Sequence, residues 1–587
     1  MSAGSLVHPL QGQAVLQSRW SWPDPVDRQA AVDLARTLRL PTPIAELLLR
    51  RGYRSPDRAR CFLSPSFDLL HDPFLMRGMD TAVARIEAAI RDGEPIAVHG
   101  DYDVDGITAT AVLVRYLRWR GARADYYIPH RIEDGYGVSR SGIEILAARG
   151  TRLLVTCDCG VTAVDEVARA RELGMDVVVS DHHEPGPALP DALAVLNPRI
   201  PDSGYPDRDL AAVGVAYKLC EALELSAGRD RETLRFALDL VALGTIADLV
   251  PLTGENRVLV RFGLEVLART RNAGLRALMV RTGLAGTRPT AWQIGFVLAP
   301  RINAVGRMDA AEKAVGLLLT DDAAEAEAIA EAFEGVNTTR QEEDRRLLAE
   351  VLERVEAGYD AERDRAIVMA GEGWHPGVIG IVASRVVERF HRPTVLIALD
   401  ADGNGRGSAR GIPGFHLLEG LAACASHLNA FGGHRTAAGL AIRREAVDGF
   451  RAAFQRHAGE RLAGEQLIPS LTIDLELPLE TVDAGLFLEL NRFGPYGPGN
   501  PEPIVALRSV AARGYPRIVG ENHLKMVVAR NGRTLDTIGF NLGHLLGELN
   551  VNRGPMTIVC RLRENVYLGR STLQGRLIDV RLEDGAE

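Results

Sequence analysis

The chain has 587 residues, 46% of them apolar and 25% charged, and carries a net charge of −9 at pH 7. That length exceeds what one hydrophobic core serves, so three or four domains are expected, and the balanced composition excludes a largely disordered chain. No apolar run approaches the roughly 18 residues of a membrane span and Met1 to Gln13 lacks a basic stretch before an apolar one, so the expected location is the cytoplasm, with no membrane partner.

A polar, proline-punctuated segment comes first. From about residue 93 a theme repeats: a short apolar run, a polar cluster, then helical spacing. "PIAVHGDYDVDG" leads into "ITATAVLVRYLRWRG", "DYYIPHR" into "SGIEILAARG", "RLLVTCDCG" into "VTAVDEVARARELG", and "DVVVSDHHEPG" into the short run "LAVLNPR". This alternation predicts βαβ units and a parallel sheet whose polar clusters share the carboxyl rim. Helical spacing continues through "AAVGVAYKLCEALEL" and "ETLRFALDLVALGTIADLVPL", and Asp321 to Gly358 reads as a long connecting helix or helix pair, interrupted by Gly335 and "NTT". A second α/β unit starts near Asp364, with glycine-rich "GNGRGSARGIPG" and "FGGHRTAAG". From about 468, short β runs broken by Gly, Pro and Asn predict a small barrel such as an OB-fold. Ile504 to Arg581 holds twelve Lys or Arg against five Asp or Glu, a basic end on an acidic protein that suits a polyanion. The expected divisions are 1–75, 76–310, 311–362, 363–465 and 466–587.

The acidic clusters carry the chemistry. Asp101, Asp103, Asp105 and Gly106 match the first half of a calcium-binding EF-hand loop, but Val112 stands where that loop needs a bidentate Glu, and the flanks are strand and helix. Four clusters end strands or helices of the first lobe: His99 with the three aspartates, Asp158 in "DCG", Asp181, His182 and His183 in "SDHHE", and Asp248 in "TIADL". One such cluster alone is ordinarily a capped turn. Converging carboxylates and imidazoles suit Mn²⁺ and similar ions, and a shared carboxylate with private ligands suits a dinuclear centre for phosphoryl displacement. The six cysteines, Cys61, Cys157, Cys159, Cys220, Cys424 and Cys560, are scattered, and Cys157 and Cys159 read as small residues at a strand end rather than ligands.

"HGDYDVDG", "DCG", "DHH" and "GTIAD", in that order, resemble the motifs of the DHH phosphoesterase superfamily. "RINAVGRM", "GSARG" and "FGGH" resemble its DHHA1 portion. With the terminal β domain, the likeness covers nearly the whole chain and points to the superfamily's single-strand-specific 5′→3′ DNA exonucleases, which act in DNA repair and recombination. The implied architecture is α/β multidomain: a DHH domain on a parallel sheet, a long connecting helix, a smaller α/β DHHA1 domain and a C-terminal OB-like barrel. The resemblance implies two divalent ions, Mn²⁺ preferred and Mg²⁺ possible. One sits on His99, Asp103 and Asp158, the other on Asp105, Asp158, His182 and Asp248, with Asp158 bridging. His183 contacts the scissile phosphate and, with Asp101 and Asp158, forms the expected catalytic set, Asp101 and Asp181 standing behind the ligands. Arg131, Arg301, Asn303, Ser408, Arg410, Gly432, Gly433 and His434 are the expected phosphate contacts.

Single-strand preference follows on this reading from a cleft between lobes that admits one strand, with the barrel holding the strand beyond it. Tyr515, Phe540 and Tyr567, with Arg508, Arg517, Lys525 and Arg563, are the stacking and backbone candidates, although aromatic residues make up only 5% of the chain and those rings suit a barrel core equally. The expected partners are single-stranded DNA, a single-strand-binding protein and a helicase, for a monomeric enzyme. Two rivals stand beside it. One is a phosphodiesterase for very short oligonucleotides or cyclic dinucleotides, or a pyrophosphatase, which needs only two lobes. The other is a non-catalytic strand binder or scaffold, against which the filled ligand positions speak.

Overall fold

The computed structural model describes residues 18–130, 137–308, 311–552, 554–567 and 570–583. It opens with a short strand, β1 (Arg19–Ser21), paired in parallel with Ser470–Thr472. Two compact units follow from the packing: Asp57–Thr338 with Arg492–Glu502, and Met1–Pro56 with Thr339–Asn491 and Pro503–Glu587.

The unit around Asp57–Thr338 is built on β2 (Ile96–His99), β3 (Ala124–Tyr127), β4 (Leu153–Thr156), β5 (Asp176–Ser180) and β6 (Ala194–Leu196). They lie in the order β3-β2-β4-β5-β6, every pair parallel, as the alternation predicts. All residues of β2 and β4 are buried, because helices cover both faces. Ile96, Val98, Leu153 and Val155 pack with helices Val104–Trp119, Ala212–Ser226 and Leu238–Ala247, while Ala97 and Leu154 pack with Arg140–Ala148 and Val164–Glu172. Helix Val104–Trp119 starts where it does because the Asp103 carboxylate accepts the N–H groups of Asp105 and Gly106 at 2.9 and 3.1 Å. Gly106 is required there: a Cβ would lie 2.7 Å from the Asp101 backbone. The segment Arg492–Glu502 is tied in by Arg257, whose buried guanidinium donates to the carbonyls of Phe62, Arg492 and Phe493.

Helix Ala323–Gly358 is one continuous element of 36 residues. Gly335 and "NTT" do not break it, since Ala326, Ala330 and Phe333 bury in one core and Leu347, Val351 and Val355 in another, and packing outweighs propensity.

The other unit carries β7 (Ile367–Glu372), β8 (Thr394–Leu399), β9 (Asn404–Arg410), β10 (Ala430–Gly433) and β11 (Ala437–Arg443), ordered β10-β11-β9-β8-β7 with only β7 and β8 parallel. The remaining strands are β12 (Ser470–Thr472), β13 (Leu475–Leu477), β14 (Val505–Ala512), β15 (Arg517–Val519), β16 (His523–Arg530), β17 (Arg533–Gly539), β18 (Met556–Tyr567) and β19 (Arg570–Leu582). Pairings run β14-β18-β19-β17-β16 and return from β16 to β14 through Ala511 and Ala529, so the expected barrel closes on five strands. Irregular register at Leu507 to Val510 and at Val559 to Cys560 supplies the bends that closure needs. Among the described residues no helix is long and apolar enough to cross a membrane.

Candidate metal centre

The clusters at the strand ends meet. Asp101 and Asp103 follow β2, Asp158 follows β4, and Asp181, His182 and His183 follow β5, while Asp248 ends helix Leu238–Ala247. Three sets of donor atoms each gather within 4.8 Å: Asp101, Asp103 and Asp158; Asp105, His182 and Asp248; Asp158, His182 and His183. Asp158 and His182 each serve two sets. Nε2 of His182 lies 3.2 Å from Asp158 Oδ1, 3.6 Å from Asp248 Oδ2 and 3.9 Å from Asp105 Oδ2.

Backbone geometry aims these groups. Asp158 adopts a left-handed φ of 64°, which Asp tolerates better than most residues, and the turn is completed by Gly160 at 110°. Asp105 is gripped by the first N–H groups of helix Ala212–Ser226, Ala212 at 2.7 Å and Val213 at 2.9 Å. Asp181 accepts from Val161 N–H at 2.9 Å and holds Nδ1 of His183 at 2.7 Å. The His183 side chain, 36% exposed, is thereby fixed with its other nitrogen away from Asp181. Asn197, at the end of β6, donates to the His183 carbonyl at 2.9 Å. Sequence reading passed over Asn197, whose only signal is a polar residue at a strand's carboxyl end.

His99 is fully buried and is not in any of the three sets. Its Nε2 lies 3.4 Å from the Ser139 N–H and its Nδ1 3.9 Å from Cys159 Sγ. Asp101 instead stands beside Asp103 and Asp158.

The electrostatics call for cations. Burial, then Asp103 and Asp105, push the Asp158 carboxyl well above its usual range. Burial, then Asp105, push Asp248 up to about 9, and burial with Asp103 pushes Asp105 up to about 7 against the two N–H groups that it accepts. His182 is driven down to about 3 by burial and by His183, so it is a neutral imidazole with a lone pair to offer. For Asp181, burial is outweighed by the hydrogen bond and charge of His183, and its carboxyl falls. Asp158 Oδ1 and His182 Nε2 are buried without a hydrogen-bond partner among the described residues. Buried atoms left in this state, facing each other among acids, fit a divalent ion of the kind that oxygen and imidazole donors select.

Three family models match the chain: the DHH family N-terminal domain over residues 95–245, the DHHA1 domain over 363–460 and the RecJ OB domain over 473–579. The single-stranded-DNA-specific exonuclease RecJ of Bacillus subtilis is 40% identical over 549 residues, covering 91% of this chain and 69% of that protein. The chain belongs to the RecJ family. The crystal structure of RecJ in complex with Mn²⁺ from Thermus thermophilus superposes with a TM-score of 0.83 at 32% identity, over 97% of this chain and 80% of that one. RecJ from the same organism in complex with Mg²⁺ gives 0.75 at 30%, over 97% and 79%.

The other expected contacts of this RecJ-family chain fall into different surroundings. Arg301 is engaged in a bidentate pair with Glu334, at 2.5 and 3.0 Å, and donates to the Val297 carbonyl at 2.6 Å. Asn303, two residues on, is half-buried. Ser408 and Arg410 meet on β9, where Arg410 donates to Ser408 Oγ at 3.1 Å. They face the start of helix Ile379–Phe390, and a Cβ at Gly380 would lie 2.8 Å from the guanidinium and 2.9 Å from Ser408 Oγ. A helix N-terminus beside an arginine and a hydroxyl is an anion site in outline. Gly432 and Gly433 end β10, and both are exposed, as is His434. Gly433 has a φ of 140° and no room for a Cβ, which would lie 2.5 Å from Ala438. Arg131 lies outside the described residues. On the barrel, Tyr515 and Phe540 are exposed, and the Phe540 ring meets His523 at a tilt of 59°, with Arg576 over its ring at 4.7 Å. Arg508 is committed to Glu476 and to the Trp22 ring, Arg517 and Lys525 face each other across β15 and β16, and Arg563 lies on β18. The Tyr567 side chain is outside the described residues.

Proposed function

We propose that this chain is a single-strand-specific 5′→3′ DNA exonuclease that releases 5′-mononucleotides at a pair of divalent ions, Mn²⁺ preferred and Mg²⁺ accepted, in cytoplasmic DNA repair and recombination. The observation that carries the reading is the shared position of Asp158, whose unpartnered Oδ1 faces His182 while its carboxyl also joins Asp101 and Asp103. A shared carboxylate between two donor groups is what a dinuclear centre requires. Asp105, Asp158, His182 and Asp248 hold one ion; Asp103 and Asp158 hold the other, with the third donor drawn from Asp101 and His99. When bound, such ions supply a hydroxide nucleophile and neutralise charge on the phosphate. His183, oriented by Asp181, donates to a phosphate oxygen. Ser408, Arg410 and the first N–H groups of helix Ile379–Phe390 receive the 5′-phosphate. The closed barrel with its exposed aromatic and basic residues favours a polymer over the short-oligonucleotide alternative. The enzyme works as a monomer, with a helicase and a single-strand-binding protein feeding it strand.

The deciding experiment digests one oligonucleotide, labelled at either end, as single strand and as blunt duplex, with Mn²⁺ or chelator. Early 5′-labelled mononucleotide from the single strand alone, and only with metal, is the expected result. Survival of long strands while di- to pentanucleotides vanish would favour the alternative.

A further inference from the structure

One expected phosphate contact is already occupied by the protein itself. Arg301, in helix Ala299–Met308, donates from Nε and Nη2 to the two Glu334 carboxylate oxygens at 2.5 and 3.0 Å, and from Nη1 to the Val297 carbonyl at 2.6 Å. The fork that would grip a phosphate bidentately is thus filled by a carboxylate, an anion that offers the same pair of oxygens. Glu334 belongs to the first half of helix Ala323–Gly358, 33 residues further along the chain.

This ion pair is not what docks the two helices. Ile302 and Val305 from one, Ala330 and Phe333 from the other, are buried in the same apolar core. Nor is the pair sealed: the Arg301 side chain is 14% exposed and that of Glu334 35%, which leaves the carboxylate a way into water. Its place is beside the metal centre. A Cβ at Gly306 would lie 2.5 Å from the carbonyl of Tyr102, between Asp101 and Asp103, and a Cβ at Gly295 would lie 3.7 Å from Ile246, two residues before Asp248. Arg301 therefore stands between two points at which its stretch of chain meets segments that carry metal ligands.

We propose that Glu334 is a latch: it stands in for a phosphate on Arg301 while no strand is bound, and a phosphate of the entering strand displaces it. This rests on the nucleic-acid reading above. All three nitrogens of Arg301 are engaged, so the arginine can grip a phosphate bidentately only by releasing Glu334. Exchange of one anion for another keeps the largely buried guanidinium paired in both states, and the carboxylate that leaves is the more exposed partner. A ligand without a phosphate anion does not open the latch. Its cost is affinity, because every strand must compete with Glu334.

The test measures binding of the full chain to a fluorescein-labelled oligothymidylate in chelator, where nothing is cut. Glu334→Gln, which keeps the shape and removes the charge, is expected to tighten binding about five-fold or more, because the competing anion is gone. Arg301→Gln should weaken binding, and Glu334→Gln added to Arg301→Gln should change nothing further, since no guanidinium remains to be released. Glu334→Asp, whose shorter side chain fills the fork less well, should tighten binding about two-fold and decides the matter if Glu334→Gln does not fold. Unchanged or weaker binding by the Glu334 variants would overturn the latch. So would an equal gain in the Arg301→Gln background, which would show plain repulsion between Glu334 and the strand. Wild type that binds the strand but fails to cut it with Mn²⁺ overturns the nuclease reading and leaves the latch standing; wild type and Glu334→Gln that both bind no strand overturn both.

Discussion

Gly244 leaves the space in which Asp105 lies. A Cβ on Gly244 would stand 3.0 Å from Asp105 Oδ1 and 2.2 Å from Thr108 Oγ1. The glycine belongs to helix Leu238–Ala247, whose end carries Asp248, so one small residue sets the approach of two ligands from different parts of the chain. Gly244→Ala is therefore expected to push Asp105 off Ala212 and Val213, weakening Mn²⁺ binding and costing about 1–3 kcal/mol of stability. Calorimetric titration with Mn²⁺ and urea denaturation check the two effects, and an unchanged metal affinity would refute the link.

Asp158→Ala removes the carboxylate shared by two donor groups. Cleavage should vanish while strand affinity stays close to wild type, because phosphate and stacking contacts elsewhere dominate binding. Turnover and anisotropy on the same oligonucleotide separate these outcomes. Parallel losses in both would show that the strand is held chiefly at the metals.

Metal binding should release protons. Asp158 is raised well above its usual range, Asp105 to about 7 and Asp248 to about 9, so without a cation these carboxyls retain protons near neutrality that a metal must displace. Mn²⁺ affinity should therefore tighten as pH rises from below 7 to 9. The linkage has a second side. Carboxyls raised on folding stabilise the metal-free protein at low pH, and that contribution is lost as pH rises through the folded values, so chelation should lower Tm more on the alkaline side. Calorimetry in buffers of different ionisation heat reads the protons directly, and zero release would contradict the account.

Asp181→Asn keeps the shape but loses the charge that orients His183 across 2.7 Å. A fall in kcat of roughly 10- to 100-fold, with strand affinity kept, is expected. Full activity in this variant would mean that His183 needs no orienting partner.

Arg410→Ala should abolish any preference for a 5′-phosphorylated end over a 5′-hydroxyl end, because the guanidinium is the charged member of the group at the start of helix Ile379–Phe390. Initial rates on the two ends, compared with wild type, decide it. A preference that survives would place the end-recognition group elsewhere.

Much of this molecule was legible from period and punctuation. The five strands of the parallel sheet were each visible as short apolar runs ending in polar clusters, because a strand covered on both faces must be apolar throughout and its functional residues must wait for the exit. The barrel was legible from its broken β runs, and its closure depended on the pairing of Ala511 with Ala529, a contact between strands distant in sequence. The long connecting helix was legible from its spacing, and its continuity through Gly335 depended on the two cores that hold it together. In the site, residue identity determined which side chains could bind a cation. Only the tertiary structure decided that Asp101 gathers with Asp103 and Asp158, and that Arg301 pairs with Glu334. Those outcomes depend on backbone approach, a left-handed turn at Asp158 and the space left by Gly244 and Gly295, and such distances are set by packing between segments far apart in the chain.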